Sequence, residues 1–296
     1  MSEALDISIV VPTYNRGEVV ARNADRWLAM DPPAREIVLV DDASDEPSAR
    51  VLRDIAARHP SVRYLRLERN GGQAVARNAG FAAATGKYIV SLDDDSWLLE
   101  TDALARVWRR MEATPRCAIL AFNLFSPGME VAPAEDRLLA VSDHLTCGAA
   151  YRADTLRRIG YHLAFLRYEG EESDLSIKAR GADCDVLKDL AVRGFHDYDP
   201  SRRSAESIRR VRTYAVRNDL ARIIVFFPWI LVPTLLAWRA AAHLRFGMRH
   251  GLLGATLRGY AGFAAILPRA LRERAPIPLA AARGYLRLRR APEMVA

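Results

Sequence analysis

The sequence predicts an α/β protein built on a mainly parallel sheet that is flanked by helices. Within the first hundred residues, short apolar runs rich in β-branched residues alternate four times with segments of helical periodicity. The connections between these segments are short, as in parallel sheets with right-handed crossovers. Half of the 296 residues are apolar, which is enough for a full core.

The elements can be assigned in order along the chain. In the first hundred residues, strands are predicted at 7–11, 36–40, 62–67 and 88–92, and helices at 18–30, around 51–55 and at 71–84. Further strands are predicted at 117–125, 146–152 and 185–192, and short helices at 154–159 and after the acidic residues at 169–174. Residues 126–134, with two prolines and a glycine, are predicted to be a loop.

The charge of the chain is divided between an acidic front and a basic tail. The net charge is +7, yet residues 201–296 carry 18 arginines and four acids, so this tail is +14 and the first 200 residues are −7. Two regions with different partners are therefore expected, a domain at 1–200 with halves 1–100 and 101–200, and a helical extension at 201–296. The three widely spaced cysteines favour a reducing compartment, and the N-terminus has no secretory pattern.

Three consecutive carboxylates, Asp93, Asp94 and Asp95, follow the strand at 88–92. Like charges at this spacing repel each other, and carboxylate oxygens are the ligands that Mg²⁺ and Mn²⁺ prefer. Ligands of open α/β sheets bind beyond the carboxyl ends of the strands. The triplet therefore predicts a cation site, with a solvated acidic turn as the alternative.

Polar residues suited to a nucleotide follow two other strands. The Tyr14 ring could stack on a base, and the Asp42 carboxylate could accept an N–H of a pyrimidine. Gly71 and Gly72 precede a helix and could offer backbone N–H groups to phosphate, although a tight turn is the alternative. The chain has no G-x-G-x-x-G after the first strand and no P-loop, which argues against a dinucleotide oxidoreductase and a P-loop NTPase.

Four segments in this order, residues 10–16, 40–45, 70–80 and 92–95, resemble the successive signatures of family-2 glycosyltransferases. The similarity covers roughly residues 5–200. It implies the GT-A fold and inverting transfer of a sugar from a nucleotide-diphosphate sugar. The halves 1–100 and 101–200 would then bind the donor and the acceptor.

The resemblance also implies roles for single residues. Asp95 would bind the metal, Asp93 the metal or the ribose, and His196, after the last strand, the metal or the diphosphate. Asp94 stands where many relatives carry a small residue and is expected to support the site. The residues expected to contact the donor are Pro12, Thr13, Tyr14, Asn15, Arg16, Asp41, Asp42, Gly71, Gln73, Arg77, Asn78, Asp93 and Asp94.

A second acidic cluster lies at residues 169–174. Acids at a helix N-terminus can simply complement the helix dipole. Inverting sugar transfer, however, needs a carboxylate that takes the proton of the acceptor hydroxyl. The cluster resembles the family's E-D-x-D-L motif, in which the second acid is the base. That position is Glu172, with Glu171 as the second candidate and Asp174 as an orienting or capping residue.

The tail combines arginines with apolar residues. Residues 204–227 have helical periodicity, and residues 223–238 are uncharged but shorter than the about 20 residues of a membrane span. We expect a helix pair in the membrane interface, with a buried packing or dimerising element and a true span as alternatives. The basic segments 252–271 and 278–288 would hold a cytoplasmic protein on the inner membrane surface. No nucleic-acid-binding motif is present.

Together these patterns predict a metal-dependent inverting glycosyltransferase, of hexosyl or deoxyhexosyl type, that uses Mn²⁺ or Mg²⁺ and a UDP- or dTDP-sugar. The expected acceptor is a glycan or a lipid-linked molecule of polysaccharide, cell-envelope or glycolipid biosynthesis. One alternative is a transferase for a soluble acceptor whose tail forms a homodimer. A nucleotidyltransferase would need a glycine-rich basic loop at 12–16, and a non-enzymatic binding module would leave the acids at 169–174 without a role.

Overall fold

The structure, a computed structural model, describes residues 3–166, 170–199 and 203–295, without the side chain of Glu171. Its strands over these residues are β1 (Leu5–Thr13), β2 (Ala34–Asp41), β3 (Val62–Arg66), β4 (Tyr88–Leu92), β5 (Ser96–Leu98), β6 (Cys117–Phe125), β7 (Leu138–Ala140), β8 (Gly148–Arg152), β9 (Asp185–His196) and β10 (Glu293–Met294). The helices are α1 (Gly17–Leu28), α2 (Glu46–Arg58), α3 (Gln73–Ala83), α4 (Ala103–Ala113), α5 (Ala153–Ile159), α6 (Glu171–Gly181), α7 (Ala205–Phe226), α8 (Val232–Arg249), α9 (Leu253–Arg272) and α10 (Leu279–Leu288).

One sheet runs through the molecule in the order β10-β7-β9-β6-β8-β4-β1-β2-β3, and β5 pairs with β9. The four strands β1 to β4 are parallel where they pair. β8 is antiparallel to both of its neighbours, β4 and β6, whereas β9 is parallel to β6. The predicted α/β class is confirmed, and the sheet is parallel in its first half and mixed in its second.

The alternation of side chains along the strands explains why helices cover both faces. Ile7, Ile9 and Val11 of β1 belong to one buried cluster together with residues of α1, α2 and α4. Val10 belongs to the cluster on the opposite face, with Phe81 of α3. Successive strand residues point to opposite faces, so a strand buried on both sides is apolar throughout. Because β1 runs parallel to both β2 and β4, the carboxyl ends of these three strands lie at the same edge of the sheet.

The tail is packed onto the first 200 residues. Phe165 and Ile177 share a third buried cluster with Phe226 and Tyr285. The guanidinium of Arg222 donates to the carbonyl oxygen of Gly170 at 2.6 Å. In addition, β10 pairs with β7. Helices α7 and α10 thus complete the core beside α6.

The uncharged run at 223–238 has two environments. Its first residues end α7 and are buried in the third cluster, as the packing alternative required. Trp229, Ile230 and Trp238, by contrast, are exposed. No helix in the described ranges is both long and apolar enough to cross a bilayer.

Candidate active site

A cavity of about 630 Å³ opens at the carboxyl ends of β1, β2 and β4. Residues from both halves of residues 1–200 line it together with one residue of the tail, Arg203. They are Pro12, Thr13, Tyr14, Arg16, Asp42, Asn70, Gly72, Gln73, Ala76, Asp93, Asp94, Asp95, Ser126, Leu145, Thr146, Cys147, Glu172, His196, Tyr198 and Arg203. The two acidic clusters that are far apart in sequence therefore face one space.

The acidic triplet meets His196 at the base of this cavity. His196 Nε2 lies 3.2 Å from Asp95 Oδ1 and 3.7 Å from Asp93 Oδ2. His196 ends β9, which pairs with β5 directly after the triplet: Ser96 stands opposite His196. The backbone N–H of Asp197 also donates to the Asp95 carbonyl oxygen at 2.9 Å. Strand pairing thus fixes the histidine beside the acids.

Charge in this cluster is balanced within the protein. Burial disfavours the ionised form of Asp95, but hydrogen bonds from His196 and Arg16 outweigh it and hold its pKa below the ordinary value. Burial likewise disfavours protonated His196, yet the hydrogen bond to Asp95 and the nearby charge of Asp93 raise its pKa. Asp95 is consequently held in its anionic form.

Asp94, the middle residue of the triplet, is held by Thr13 and Arg16. Its side chain accepts a hydrogen bond from the Thr13 hydroxyl at 2.7 Å and forms an ion pair with Arg16 at 2.8 Å. Arg16 also forms an ion pair with Asp95 at 2.7 Å. Burial raises the pKa of Asp94 to about 7, against the opposing effect of Arg16. These contacts tie the end of β1 to the residues that follow β4.

The donor atoms of the site fit a divalent cation. Asp93, Cys147 and His196 offer ligand atoms that all lie within 4.8 Å of one another, and Asp95 borders the same histidine. Carboxylate oxygens suit Mg²⁺ and Mn²⁺, and an imidazole nitrogen suits the transition metal better than Mg²⁺. The predicted set Asp95, Asp93 and His196 is therefore brought together in space.

Arg77 and Gln73 orient Asp93 from α3. Arg77 is fully buried and donates to Asp93 Oδ1 at 2.7 Å and to Ser91 Oγ at 2.6 Å. Gln73 donates to the same oxygen of Asp93 at 3.1 Å. Arg77, expected to contact the donor, instead holds a carboxylate that faces the cavity.

Asp42 binds the glycine pair. Its two carboxylate oxygens accept the backbone N–H groups of Gly71 and Gly72, each at 2.8 Å. These N–H groups, expected to bind phosphate, are directed at a carboxylate instead. Asp42 still lines the cavity, and each of its oxygens has a second lone pair for a further donor. Tyr14, 47% exposed, lines the same cavity.

Besides Gly71 and Arg77, four predicted site residues do not line the cavity and contact other parts of the protein instead: Asn15, Asp41, Asn78 and Asp174. Asp41 is fully buried and accepts from Tyr64 and Arg66, both at 2.6 Å. The remaining three bind backbone groups of neighbouring loops. Asn15 accepts from the Asp45 N–H, Asn78 exchanges two hydrogen bonds with the backbone of residue 162, and Asp174 accepts from the Leu163 N–H.

Glu172 lines the cavity from the first turn of α6. Gly170, with φ of +80°, precedes this helix in a backbone conformation that favours glycine. The side chain of Glu171 and residues 167–169 lie outside the described part of the chain, so the second candidate base is not placed. Within the described part of the second acidic cluster, Glu172 lines the same cavity as Asp93 and Asp95.

Several lining residues were not predicted from the sequence. The buried Cys147 has its sulfur 3.5 Å from His196 Nδ1. Tyr198 stacks on His196 with ring centroids 5.5 Å apart, and Arg203 lies over Tyr198. The only sequence signal for Tyr198 was its position two residues after His196. Leu145 and Ser126 lie in loops, and no sequence pattern identified them as site residues.

Comparison with known proteins agrees with this geometry. The sequence model of the family described as Glycosyl transferase family 2 matches residues 8–188, so the chain belongs to that family. Among solved structures, the Pyrobaculum calidifontis mannosyltransferase PcManGT, in complex with GDP-Man and Mn²⁺, is 20% identical with a TM-score of 0.61. The similarity covers 98% of this chain and 88% of that one. TarS of S. aureus in complex with UDP-GlcNAc gives 17% identity and a TM-score of 0.62 over 93% and 82% of the two chains. These neighbours confirm the GT-A fold.

Relatives known by sequence include proteins of polysaccharide biosynthesis. The succinoglycan biosynthesis protein ExoO of Rhizobium meliloti is 30% identical over 164 residues, which are 55% of this chain and 46% of that protein. The poly-β-1,6-N-acetyl-D-glucosamine synthase of Staphylococcus epidermidis is 31% identical over 117 residues, 40% and 28% of the two chains. The chain thus spans less than half the length of these curated relatives.

Proposed function

We propose that this chain is a divalent-cation-dependent, inverting glycosyltransferase that moves a sugar from a nucleotide-diphosphate sugar to an acceptor hydroxyl. One observation supports the proposal: Glu172 and the pair Asp93 and Asp95, from two acidic clusters far apart in sequence, line a single cavity. Such a transfer requires carboxylates near both reacting groups. The diphosphate leaves from one face of the sugar carbon, and the acceptor hydroxyl attacks the opposite face.

The nucleobase would lie between Tyr14 and Asp42. The exposed ring of Tyr14 offers a stacking surface, and the carboxylate of Asp42 is held in place by Gly71 and Gly72 with lone pairs left for an N–H donor. The ring N–H of uracil or thymine could donate to one of these lone pairs, as could that of guanine, and a UDP- or dTDP-sugar is the donor that we favour. PcManGT and TarS were solved with GDP-Man and UDP-GlcNAc, which supports a nucleotide-sugar donor of some kind here.

Asp93, Asp95 and His196 would hold the cation, which would neutralise the charge on the departing diphosphate when bound. The protein's own residues prepare this place. Arg77 and Gln73 fix Asp93, and the β5–β9 pairing fixes His196, so the ligands are ordered by protein contacts.

Glu172 would take the proton of the acceptor hydroxyl as that oxygen attacks. Its position in the first turn of α6 is secured by the packing of that helix on the core and on α10. The acceptor would enter beside Leu145 and Tyr198, which line the wall contributed by the second half of the domain. The relatives of polysaccharide biosynthesis favour a glycan or lipid-linked acceptor.

The proposal is tested by release of free nucleotide diphosphate from a panel of UDP-, dTDP- and GDP-sugars, with Mn²⁺ or with EDTA. We expect release from a uridine or thymidine donor that requires the cation. A control panel of nucleoside triphosphates distinguishes a nucleotidyltransferase, which would release pyrophosphate. If every donor binds but none is turned over under any cation, the transferase assignment is contradicted.

A further inference from the structure

Exposed apolar side chains are concentrated in one part of the tail. Among the described residues, sixteen large apolar side chains are exposed, and nine of them lie between residues 229 and 271. Trp229, Ile230 and Met248 are 57%, 74% and 58% exposed. Large contiguous apolar surfaces are rare on soluble monomers and indicate a binding surface for a partner or a membrane.

Helix α8 places its apolar residues on the side that faces away from the protein. Its inner side is fixed to Asp219 of α7, which accepts from Arg239 at 2.6 Å and lies 2.9 Å from His243 Nε2. The exposed residues 233, 237, 241, 244 and 248 recur at intervals of three and four and therefore share the opposite side. They are Pro233, Ala237, Ala241, Leu244 and Met248.

Helix α9 repeats this arrangement next to α8. Its inner side packs closely on α7, since a Cβ at Gly259 would lie 2.6 Å from the Cβ of Val216. Its Thr256 also accepts from Arg212 of α7 at 3.0 Å. The exposed side again carries apolar residues at helical spacing. They are Leu253, Leu257, Ala261, Ala264, Pro268 and Leu271.

The charge around these two stripes is mainly positive. Residues 220–272 contain seven arginines and no aspartate or glutamate. Of these, Arg245, Arg249, Arg258, Arg269 and Arg272 are exposed. The outer sides of α8 and α9 together, with Trp229 and Ile230, are called the α8–α9 outer face below. Glu273, at the C-terminal end of α9, pairs with Arg269. An apolar stripe flanked mainly by cations, with tryptophan at its edge, has the composition of an interfacial helix.

We propose that the α8–α9 outer face binds the surface of a bilayer that contains anionic lipid. Both helices would lie in the headgroup region, with the apolar stripes directed at the acyl chains and the arginines at lipid phosphates. A symmetric dimer through this face would bring the same arginines of two copies together, largely without acids to pair them. This inference does not depend on the proposed sugar-transfer chemistry.

Sedimentation of the full-length protein with vesicles tests the proposal. Binding should be strong to vesicles of phosphatidylcholine with phosphatidylglycerol, and weak to phosphatidylcholine alone. A surface arginine contributes about fivefold to binding of anionic lipid, so Arg245→Ala with Arg249→Ala should weaken it about 25-fold. Arg22→Ala with Arg50→Ala, on exposed residues of α1 and α2, is the matched control and should bind as the wild type does.

A second pair of variants tests the apolar contact. Met248→Ser with Leu257→Ser should also weaken binding, whereas Met129→Ser, at a 56% exposed position in the loop after β6, should not. Brominated lipid should quench tryptophan fluorescence, and Trp229→Phe with Trp238→Phe should remove most of that quenching. These variants alter exposed positions, and circular dichroism verifies that each remains folded.

The proposal is overturned if the full-length protein does not sediment with anionic vesicles. It is also overturned if only the arginine variants reduce binding, because the apolar stripes would then make no contact with lipid. A salt-insensitive dimer, detected by light scattering, that Met248→Ser with Leu257→Ser dissociates would instead assign this face to a second copy of the chain. Nucleotide-diphosphate release in solution is measured in parallel and should be the same in all these variants.

Discussion

His144 connects the helix that carries the candidate base to the central sheet. Its Nδ1 lies 2.8 Å from the Ser176 hydroxyl of α6, and its Nε2 lies 2.7 Å from the Tyr151 hydroxyl of β8. Burial lowers the pKa of His144 to about 3. Replacement of His144 by asparagine should therefore remove a pH-dependent contribution to the free energy of unfolding.

The sign and size of this contribution follow from proton binding. Histidine in an unfolded chain has a pKa near 6.5, so between that pH and about pH 3 the unfolded chain binds a proton that the folded chain excludes. The contribution of His144 to the free energy of unfolding is complete above pH 6.5 and is lost as the pH falls. Between pH 7 and pH 5 the loss amounts to about 2 kcal/mol.

Urea unfolding of the wild type and of His144→Asn at pH 7 and pH 5 measures this quantity. Other titrating groups act in both proteins, so the difference between their pH effects isolates His144. The wild type should lose about 2 kcal/mol more than the variant on acidification. His59→Asn, at the C-terminal end of α2, serves as a histidine control. An equal loss in the wild type and His144→Asn would refute the assignment of a neutral, buried His144.

Three further changes test the site and its scaffold. Glu172→Gln keeps the shape of the side chain but not its proton affinity, so turnover should fall about 10²–10⁴-fold with donor binding retained. Asp95→Asn should weaken Mn²⁺ binding about 100-fold or more, as measured by electron paramagnetic resonance. Even the loss of a residue that only hydrogen-bonds to a metal ligand typically lowers metal affinity about 10–100-fold. Gly86→Ala should destabilise the protein by about 1–3 kcal/mol in urea, because its Cβ would lie 2.6 Å from a backbone nitrogen of β1.

Each change has a control and a contradicting result. Loss of turnover in Glu171→Gln but not in Glu172→Gln would move the base by one residue. Asp54→Asn, at an exposed position of α2, should leave Mn²⁺ binding unchanged, and equal binding by Asp95→Asn would place the cation elsewhere. Gly284 is a helix position with open space around it, so Gly284→Ala should not lower the stability of the protein. If Gly86→Ala left the free energy of unfolding unchanged, the close packing of Gly86 on β1 would be contradicted.

The sequence predicted the elements whose burial pattern is regular. The strand at 88–92 and the strand at 117–125 were placed with the bounds that the structure gives. Helix α4 was not predicted, although Leu104, Val107 and Met111 recur at helical spacing and are buried. The short strands β5, β7 and β10, of two or three residues, carry no periodicity of their own. Their pairing depends on neighbours that only the fold supplies.

The site was predicted less completely, because a motif names residue types but not their contacts. The acids of both clusters were found because adjacent carboxylates at a strand end or helix start are informative by themselves. Asp41 and Asp42 are neighbours of one type, yet Asp41 is buried against Arg66 while Asp42 faces the cavity. Cys147 approaches His196 only through pairing of distant strands. The burial of residues 223–227 depended likewise on α10, which follows 50 residues later.

The anomeric configuration of the first product tests the central proposal most directly. With an α-linked UDP- or dTDP-sugar, Mn²⁺ and water as the acceptor, proton NMR at early times reports which anomer is released before mutarotation. Attack by an oxygen activated by Glu172 on the face opposite the diphosphate predicts the β-anomer, and its formation should be lost in Glu172→Gln. Initial release of the α-anomer, or undiminished release by Glu172→Gln, would contradict inverting transfer with Glu172 as the base.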